Sequence, residues 1–554
     1  MKYIYILENE KKFRDEMIEA IRKIDSQLMV RYFESLEEFA KWIKLLMSEG
    51  TESLPKGGTA PDGQDESSGA GPHQLLLVIS KNEFLGAKNM SLLRKTRDLF
   101  IKQGVCTKED PTSLVLSGFE SPDFDIKLVE DRIINNVIYK PFDKLILQQH
   151  LTFAIGGRHP ASQYSVHNMK TTTTIEMLKG VEIEAISDIG FISISNRPLA
   201  PGVLAKYYSP VFNSLKQRSM MALCLRCDPH PTRPDHFRCA FTYLAADSFQ
   251  ISNIRKEVRK KDLPAFPFEW LEKSPAAASD SLGVVAKPIV DIALISKEEE
   301  VISSFKDQLE NKFHNAKVHH FASLQEFMYA VDPELAKKDK KENVYDKLPV
   351  VPRTLHAIFA DESLFEEGFK ERWQNIMETV QKKLQAPASN RSGKTDVYAL
   401  SKKPFSDTEE RAIGALVKDI FFLPLDGLYL TKKLTLFMPL LSPQEELSLP
   451  TVTYSHGAKA ATPIEISEFS EAGLVMKYYR PISTGAFREF VLWLPHELDL
   501  PEFLATCNYN EQSKSDKEVY YNHFVFFGMT DHFLKHIRRW ILQNHVQSKE
   551  ADGA

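Results

Sequence analysis

No run of apolar residues in this chain of 554 is long enough to cross a bilayer as a helix, so membrane insertion is not expected. Cysteine is scarce: five residues, an odd number, argue against a disulfide scaffold and for a reducing compartment, with the cytoplasm as the expected location. Neither sign of charge dominates. With 70 basic and 75 acidic residues the formal net charge is -5, which gives no electrostatic footprint for nucleic acid. Also missing are a phosphate-binding P-loop, a Ser-His-Asp arrangement and a complete metal cluster, so neither enzymatic activity nor a cofactor or metal is expected. The opening residues Met1 to Leu7 lack the length and cleavage site of a secretory signal and predict a buried strand. What remains is ordinary globular material, 43% hydrophobic and 26% charged, sufficient for three or four domains.

What the chain does contain is a repeat. Ile183-Glu184-Ala185-Ile186-Ser187-Asp188-Ile189-Gly190 has a counterpart in Glu465-Ile466-Ser467-Glu468-Phe469-Ser470-Glu471-Ala472-Gly473. Each glycine is followed, after six residues, by an Arg-Pro pair, Arg197-Pro198 and Arg480-Pro481, and then at equal spacing by Gly202 and Gly485. Phe33-Glu34-Ser35-Leu36-Glu37-Glu38-Phe39 likewise returns as Phe321-Ala322-Ser323-Leu324-Gln325-Glu326-Phe327.

Residues 1–152 alternate strand and helix. Apolar runs predict strands at Lys2 to Leu7, Leu28 to Tyr32, Leu75 to Ile79, Ser113 to Leu116 and Asn136 to Tyr139. Ser35, with Glu38 three residues on, has the form of an N-terminal cap for a helix reaching about Met47. A polar insertion at 48–73 is expected to be disordered. Alternation of this kind implies a parallel sheet covered on both faces. From 158 to 262 the chain turns β-rich, with strands expected at Thr171 to Ile175, Val181 to Ile186, Phe191 to Ser195, Val203 to Tyr208, Met221 to Cys227 and Arg238 to Leu244, closed by a helix from Asp247 to Arg259. A linker of Pro, Ala and Ser fills 263–286. The pattern then restarts: 287–438 repeats the alternating domain, with a charged insertion from Asp332 to Lys347, and 447–545 repeats the β-rich one. A helix from Asp531 to Gln543 is expected to end it, followed by a flexible tail at 546–554.

Lys140-Pro141-Phe142-Asp143 after the fifth strand, with Ser117 near the end of the fourth, resembles the signature of bacterial response-regulator receiver domains. That resemblance implies an acidic metal pocket, an aspartate nucleophile and a lysine at the strand ends. The chain departs from it: Leu7-Glu8-Asn9-Glu10 stands where the acidic pair should be, Ser80-Lys81 at the phosphoacceptor, and Val137 at the usual switch aromatic. In the second copy Leu423-Pro424-Leu425-Asp426 replaces the lysine signature, although Asp361 lies beside the phosphoacceptor position and Glu298-Glu299 are candidate acidic remnants. Two pseudo-receivers are expected.

The repeated Ser-x-x-Gly turn resembles the start of a PilZ domain, a small β-barrel of bacterial signalling proteins, many of which bind cyclic di-GMP. The resemblance implies ligand contacts from an upstream Arg-x-x-x-Arg segment and an Asp/Asn-x-Ser-x-x-Gly turn. Here Ser187 and Gly190 match while Ala185 departs; Glu468, Ser470 and Gly473 form the second turn. The arginine pair is absent from both, leaving Arg158, Arg197 and Arg480 as substitutes. Cys224, Cys227, His236 and Cys239 have partly zinc-like spacing but fall on apolar strands, so buried free thiols are expected. The expected fold is therefore two flavodoxin-like receiver domains alternating with two PilZ-like barrels. The resemblance implies a non-catalytic signalling scaffold whose partners are other signalling or motility proteins, with self-association through the receiver-like domains. An atypical cyclic di-GMP effector stands as the alternative.

Overall fold

The computed structural model describes residues 2–49, 74–81, 97–102, 106, 113–119, 134–156, 167–168, 174–213, 219–259, 288–339, 348–352, 354–361, 369–384, 395–403, 413–414, 416–444, 451–454, 457–494, 498–499 and 502–552. The insertion at 50–73, Arg158 and the linker 263–286 lie outside the described residues.

The first half opens with β1 (Lys2–Leu7), α1 (Lys11–Ile24), β2 (Met29–Phe33), α2 (Leu36–Glu49), β3 (Gln74–Lys81), β4 (Ser113–Phe119), β5 (Asn136–Lys140) and α3 (Lys144–Gly156). An antiparallel series follows: β6 (His167–Asn168), β7 (Thr174–Ser187), β8 (Gly190–Ser195), β9 (Leu204–Tyr208), β10 (Ser219–Pro229) and β11 (Phe237–Leu244), then α4 (Ser248–Arg259). The second half repeats the order. Its α/β portion is β12 (Val290–Ile295), α5 (Glu299–Glu310), β13 (Ala316–Phe321), α6 (Leu324–Val331), α7 (Pro333–Lys338), β14 (Ala357–Asp361), α8 (Phe369–Lys383), β15 (Asp396–Ser401), β16 (Asp419–Phe422) and α9 (Gly427–Phe437). Its β-rich portion is β17 (Thr451–Thr453), β18 (Ala458–Phe469), β19 (Gly473–Tyr478), β20 (Phe487–Leu494), β21 (Leu498–Asp499), β22 (Phe503–Gln512), β23 (Tyr520–Phe527) and α10 (Asp531–Asp552).

Both α/β portions have parallel five-stranded sheets, ordered β2-β1-β3-β4-β5 and β13-β12-β14-β15-β16. This is the flavodoxin-like order of a receiver fold, in which reactive groups gather at the carboxyl ends of the central strands. Their central strands are mostly apolar, as expected of a sheet with helices on both faces. The Ser35 and Ser323 caps form as their spacing predicts: the N–H of Glu38 donates to Ser35 Oγ, that of Glu326 to Ser323 Oγ, each at 3.2 Å. Glu38 and Glu326 reach back to the N–H of Glu34 and Ala322.

The described residues group into two compact units, and each draws on both halves of the sequence: residues 1–179 with 462–554, and residues 180–461. In the first unit the β1–β5 sheet is joined by an antiparallel sheet made of residues 465–469 of β18, then β19, β23, β22, β20 and residues 175–178 of β7, with β6 on the edge of β18. The second unit mirrors this. Residues 182–187 of β7, then β8, β11, β10, β9 and residues 459–461 of β18 pair in turn, with β17 on the edge of β7. Each α/β portion is thus compact with the β-rich portion of the opposite half. In the second unit one core runs through both, from Phe191, Phe241 and Ile254 to Phe305, Phe359 and Tyr398.

Two expectations are corrected, and one stretch given no secondary structure gains a helix. The two strands expected at Thr171 to Ile175 and Val181 to Ile186 are one strand, β7, which pairs with β20 before Gly180 and with β8 after it. The charged stretch after Asp332 begins as a helix, α7, with Pro333 at its first turn, where the missing N–H costs nothing. The last helix does not stop at Gln543 but runs to Asp552; no glycine or proline interrupts 544 to 552.

Candidate functional site

At the carboxyl ends of β1, β3 and β5 the first unit places Glu8, Lys81 and Lys140 together. Glu8 and Lys140 are both fully buried, and Lys140 Nζ donates to Glu8 Oε2 at 2.7 Å. Lys81 Nζ donates to Asn9 Oδ1 and to Glu10 Oε1, each at 3.1 Å. Hydrogen bonding from Lys81 holds the Glu10 carboxyl below its ordinary range. Ser117 Oγ lies 3.5 Å from Glu8 Oε2, and Ser80 is buried with its hydroxyl turned to the Lys81 carbonyl. The carboxylates that a divalent cation would need are therefore taken up by two ammonium groups of the chain itself.

The second unit differs at each position. Leu7 pairs with Ser80 and Ile295 with Ala360, so Lys81 and Asp361 occupy the same register. Asp361 is buried and accepts from Ser296 Oγ at 2.8 Å, Ser296 standing where Glu8 does in the first copy. Glu298 is paired with Lys402, Glu299 opens α5, and Leu423 takes the place of Lys140. An aspartate is kept, but the acidic companions and the strand-five lysine are not.

The Ser-x-x-Gly turns are internal. Ser187 and Ser470 are fully buried, and the hydroxyl of each donates to the carbonyl of its own glycine, Gly190 or Gly473, at 3.1 Å. Gly190 is required by β11, since a Cβ there would lie 2.1 Å from the Phe241 carbonyl oxygen. Glu468 is half-buried on β18. The residue after each serine is paired with a helix of the same unit, Asp188 with one of the α/β portion and Glu471 with the closing helix of its own β-rich portion. Asp188 accepts from Lys432 Nζ on α9 at 2.6 Å, and Glu471 from Arg538 Nε on α10 at 2.7 Å. Arg538 also makes a fork to Asp143, at 2.7 and 3.0 Å, and Arg255 makes the same fork to Asp426, at 2.6 and 3.0 Å. Burial raises the carboxyl of Asp143, but the Arg538 bonds and the N–H groups of Ile146 and Leu145 more than offset it, leaving it below the ordinary range. Asp426 is held low in the same way by Arg255.

These clamps were not expected from the sequence. Their signal was present: Asp143 and Asp426 sit two residues after the matched prolines, and Arg255 and Arg538 recur at one spacing on the two closing helices. Deeper in each unit, Asn136 Oδ1 accepts from the N–H of Gly528 and Asp419 Oδ1 from that of Ala245, each at 3.2 Å. Asp419 pairs with Lys433, both fully buried, whereas Asn136 faces the neutral ring of His150.

Arg197 and Arg480 are exposed, each ten residues after its turn's buried serine. Each precedes a glycine whose backbone is left-handed, Gly202 at φ 88° and Gly485 at φ 80°, a conformation that favours glycine. The Arg480 guanidinium lies 5.3 Å from the ring centre of Tyr479, an exposed side chain whose ring is 4.2 Å from that of Tyr478. No cluster of three or more His, Cys, Asp or Glu placed to hold a metal occurs among the described residues.

Fold and site together define a chain of two receiver-like folds, each compact with an antiparallel sheet of the opposite half. No family profile and no curated protein matches it. Among solved structures it is similar to a protein described as pilus assembly-related from Burkholderia pseudomallei, at 10% identity over 30% of this chain and 100% of that one, with a TM-score of 0.19. It is also similar to a pilus assembly protein from Burkholderia thailandensis, at 12% identity over 26% and 96%, TM-score 0.18. A third is the receiver domain of a DNA-binding response regulator from Colwellia psychrerythraea, at 15% identity over 26% and 95%, TM-score 0.17. Among the described residues no helix is long and apolar enough to cross a membrane.

Proposed function

We propose that this chain is a non-catalytic bacterial signalling scaffold, built of pseudo-receiver and PilZ-like parts, that recognises partner proteins in cyclic di-GMP-linked regulation such as motility or surface behaviour. The observation that carries the reading is the pair of lysines in the first pocket: Lys140 neutralises Glu8 and Lys81 occupies Asn9 and Glu10, so neither a phosphoacceptor nor a metal seat is left there. In the second pocket Asp361 has lost the lysine that would receive a phosphoryl group, Leu423 standing in its place. Loss of chemistry with retention of the fold is what a recognition role requires. Incubation with acetyl phosphate and magnesium, followed by intact-mass measurement, is expected to add no phosphoryl group to the full chain. An acid-labile phosphoryl group that disappears in Asp361→Asn would overturn the proposal.

A second reading, an atypical cyclic di-GMP effector, is favoured by one arrangement: Arg480 over Tyr479, an exposed cation and ring of the kind that stack on a base. Calorimetric titration of cyclic di-GMP into the full chain, with Arg197→Ala and Arg480→Ala alongside, separates the two. Saturable heat abolished by either change supports the effector; its absence leaves the scaffold.

A further inference from the structure

The five cysteines are all free thiols, and two of them face each other. Cys227 on β10 and Cys239 on β11 are direct cross-strand partners, and their Sγ atoms stand 2.8 Å apart, closer than two sulfurs in ordinary van der Waals contact. Cys239 is fully buried, whereas Cys227 is only partly buried. A disulfide needs an S–S separation of about 2.05 Å, so less than 1 Å of approach separates the thiols from a bond.

The second copy shows what this position does. Asn510 and Asn522 are the corresponding cross-strand partners on β22 and β23. Asn522 Oδ1 accepts from the N–H of Ile482 at 2.7 Å, and Asn510 Nδ2 donates to the Ile482 carbonyl at 3.0 Å. The amide pair thereby holds the Arg480-Pro481-Ile482 segment to the sheet. In the first copy the same segment, Arg197-Pro198-Leu199, is held by the N–H of Leu199 donating to Cys227 Sγ at 3.3 Å. A fixed polar clamp in one copy is a dithiol in the other.

We propose that Cys227 and Cys239 form a reversible disulfide, a redox modification site beneath the Arg197 segment, closed by hydroperoxide-class oxidants and opened by thiols. The partly buried Cys227, as thiolate, attacks one oxygen of hydrogen peroxide: an S–O bond forms, the O–O bond breaks, and the departing hydroxide takes up one proton to leave as water. The Cys239 sulfur then attacks the sulfenic sulfur; its proton goes to the leaving hydroxide as a second water. Two thiols are oxidised to one disulfide and one peroxide is reduced to two waters. Burial and the neighbouring Cys227 push the Cys239 thiol well above its ordinary range, which fits its role as the resolving rather than the attacking sulfur.

The test uses the full-length native protein with hydrogen peroxide, quenched by alkylation and digested with trypsin, which separates the two cysteines by cleaving after Arg238. The expected result is loss of two hydrogens in intact mass and a cross-linked pair of peptides carrying Cys227 and Cys239, abolished by dithiothreitol. The cross-link is expected to persist in Cys224→Ser and to vanish in Cys227→Ser, with circular dichroism confirming that both variants are folded. Two singly alkylated cysteines, a bond from Cys227 to Cys224, or a cross-link seen only after denaturation would each overturn the assignment.

Discussion

Glu8 and Lys140 have no water to fall back on, so the value of each depends on the other. Removing one member of a buried ion pair leaves the other charge uncompensated, at a cost of about 3–5 kcal/mol. Lys140→Met is therefore expected to destabilise the first unit by that amount, and the double change Glu8→Gln with Lys140→Met by distinctly less, because no lone charge remains. Urea denaturation of the four proteins checks this; equal losses in the single and double variants would mean that the pair is not coupled. His150 gives a pH dependence. Burial pushes its imidazole down to about 4, whereas in the unfolded chain it takes up a proton near 6.5. Between those values the unfolded state holds more protons, so stability is lost as the pH falls through that window, by up to about 3 kcal/mol. His150→Leu is expected to flatten that slope in melts taken from pH 7 to pH 4, and an unchanged slope would assign it to other groups.

At the scale of elements, the two closing helices carry matching arginines into unequal surroundings. Arg538 on α10 holds Glu471, whose side chain is 0% exposed, as well as Asp143; Arg255 on α4 holds only Asp426, which is 32% exposed. Removing Arg538 takes the guanidinium from a carboxylate with no route to water, while removing Arg255 takes it from one that water can reach. Arg538→Ala is thus expected to cost about 3–5 kcal/mol and Arg255→Ala nearer 1 kcal/mol, measured by denaturant unfolding. Equal costs would show that exposure does not govern these clamps. The elements themselves were legible in the sequence wherever local chemistry determines them: the alternating strands and helices, the Ser35 and Ser323 caps, the glycine turns. The clamps were legible only in principle. Asp143 and Arg538 are far apart in the chain, and nothing local to either residue says that the two meet. The turn serines show the same limit from the other side, for their spacing is equally consistent with a ligand loop and with an internal hydrogen bond to a glycine carbonyl.

For the whole molecule, the decisive feature is that neither half of the sequence is compact with itself. β7 gives residues 175–178 to one unit and 182–187 to the other, and β18 is divided in the same way. The recurring order of strands and helices was readable from the sequence, but the exchange was not, because the chain offers each α/β portion two chemically similar antiparallel sheets. The choice between them lies in side chains that differ between the copies. Were the first half to close on itself, Asp143 would still find Arg255, since that pairing is common to both copies. Asp188, however, would meet Gln149 in the place of Lys432, leaving a carboxylate now 4% exposed without its ammonium partner. In the first half that loss disfavours self-pairing. It follows that the chain cut within 263–286 is expected to yield two fragments that associate one to one when expressed together, while the first fragment alone is rapidly degraded by added protease. Size-exclusion chromatography with limited proteolysis reads both properties. A first fragment that is monomeric and protease-resistant by itself would sink the argument, whereas Asp188→Asn, by removing the stranded charge, is expected to let that fragment pair with its own copies.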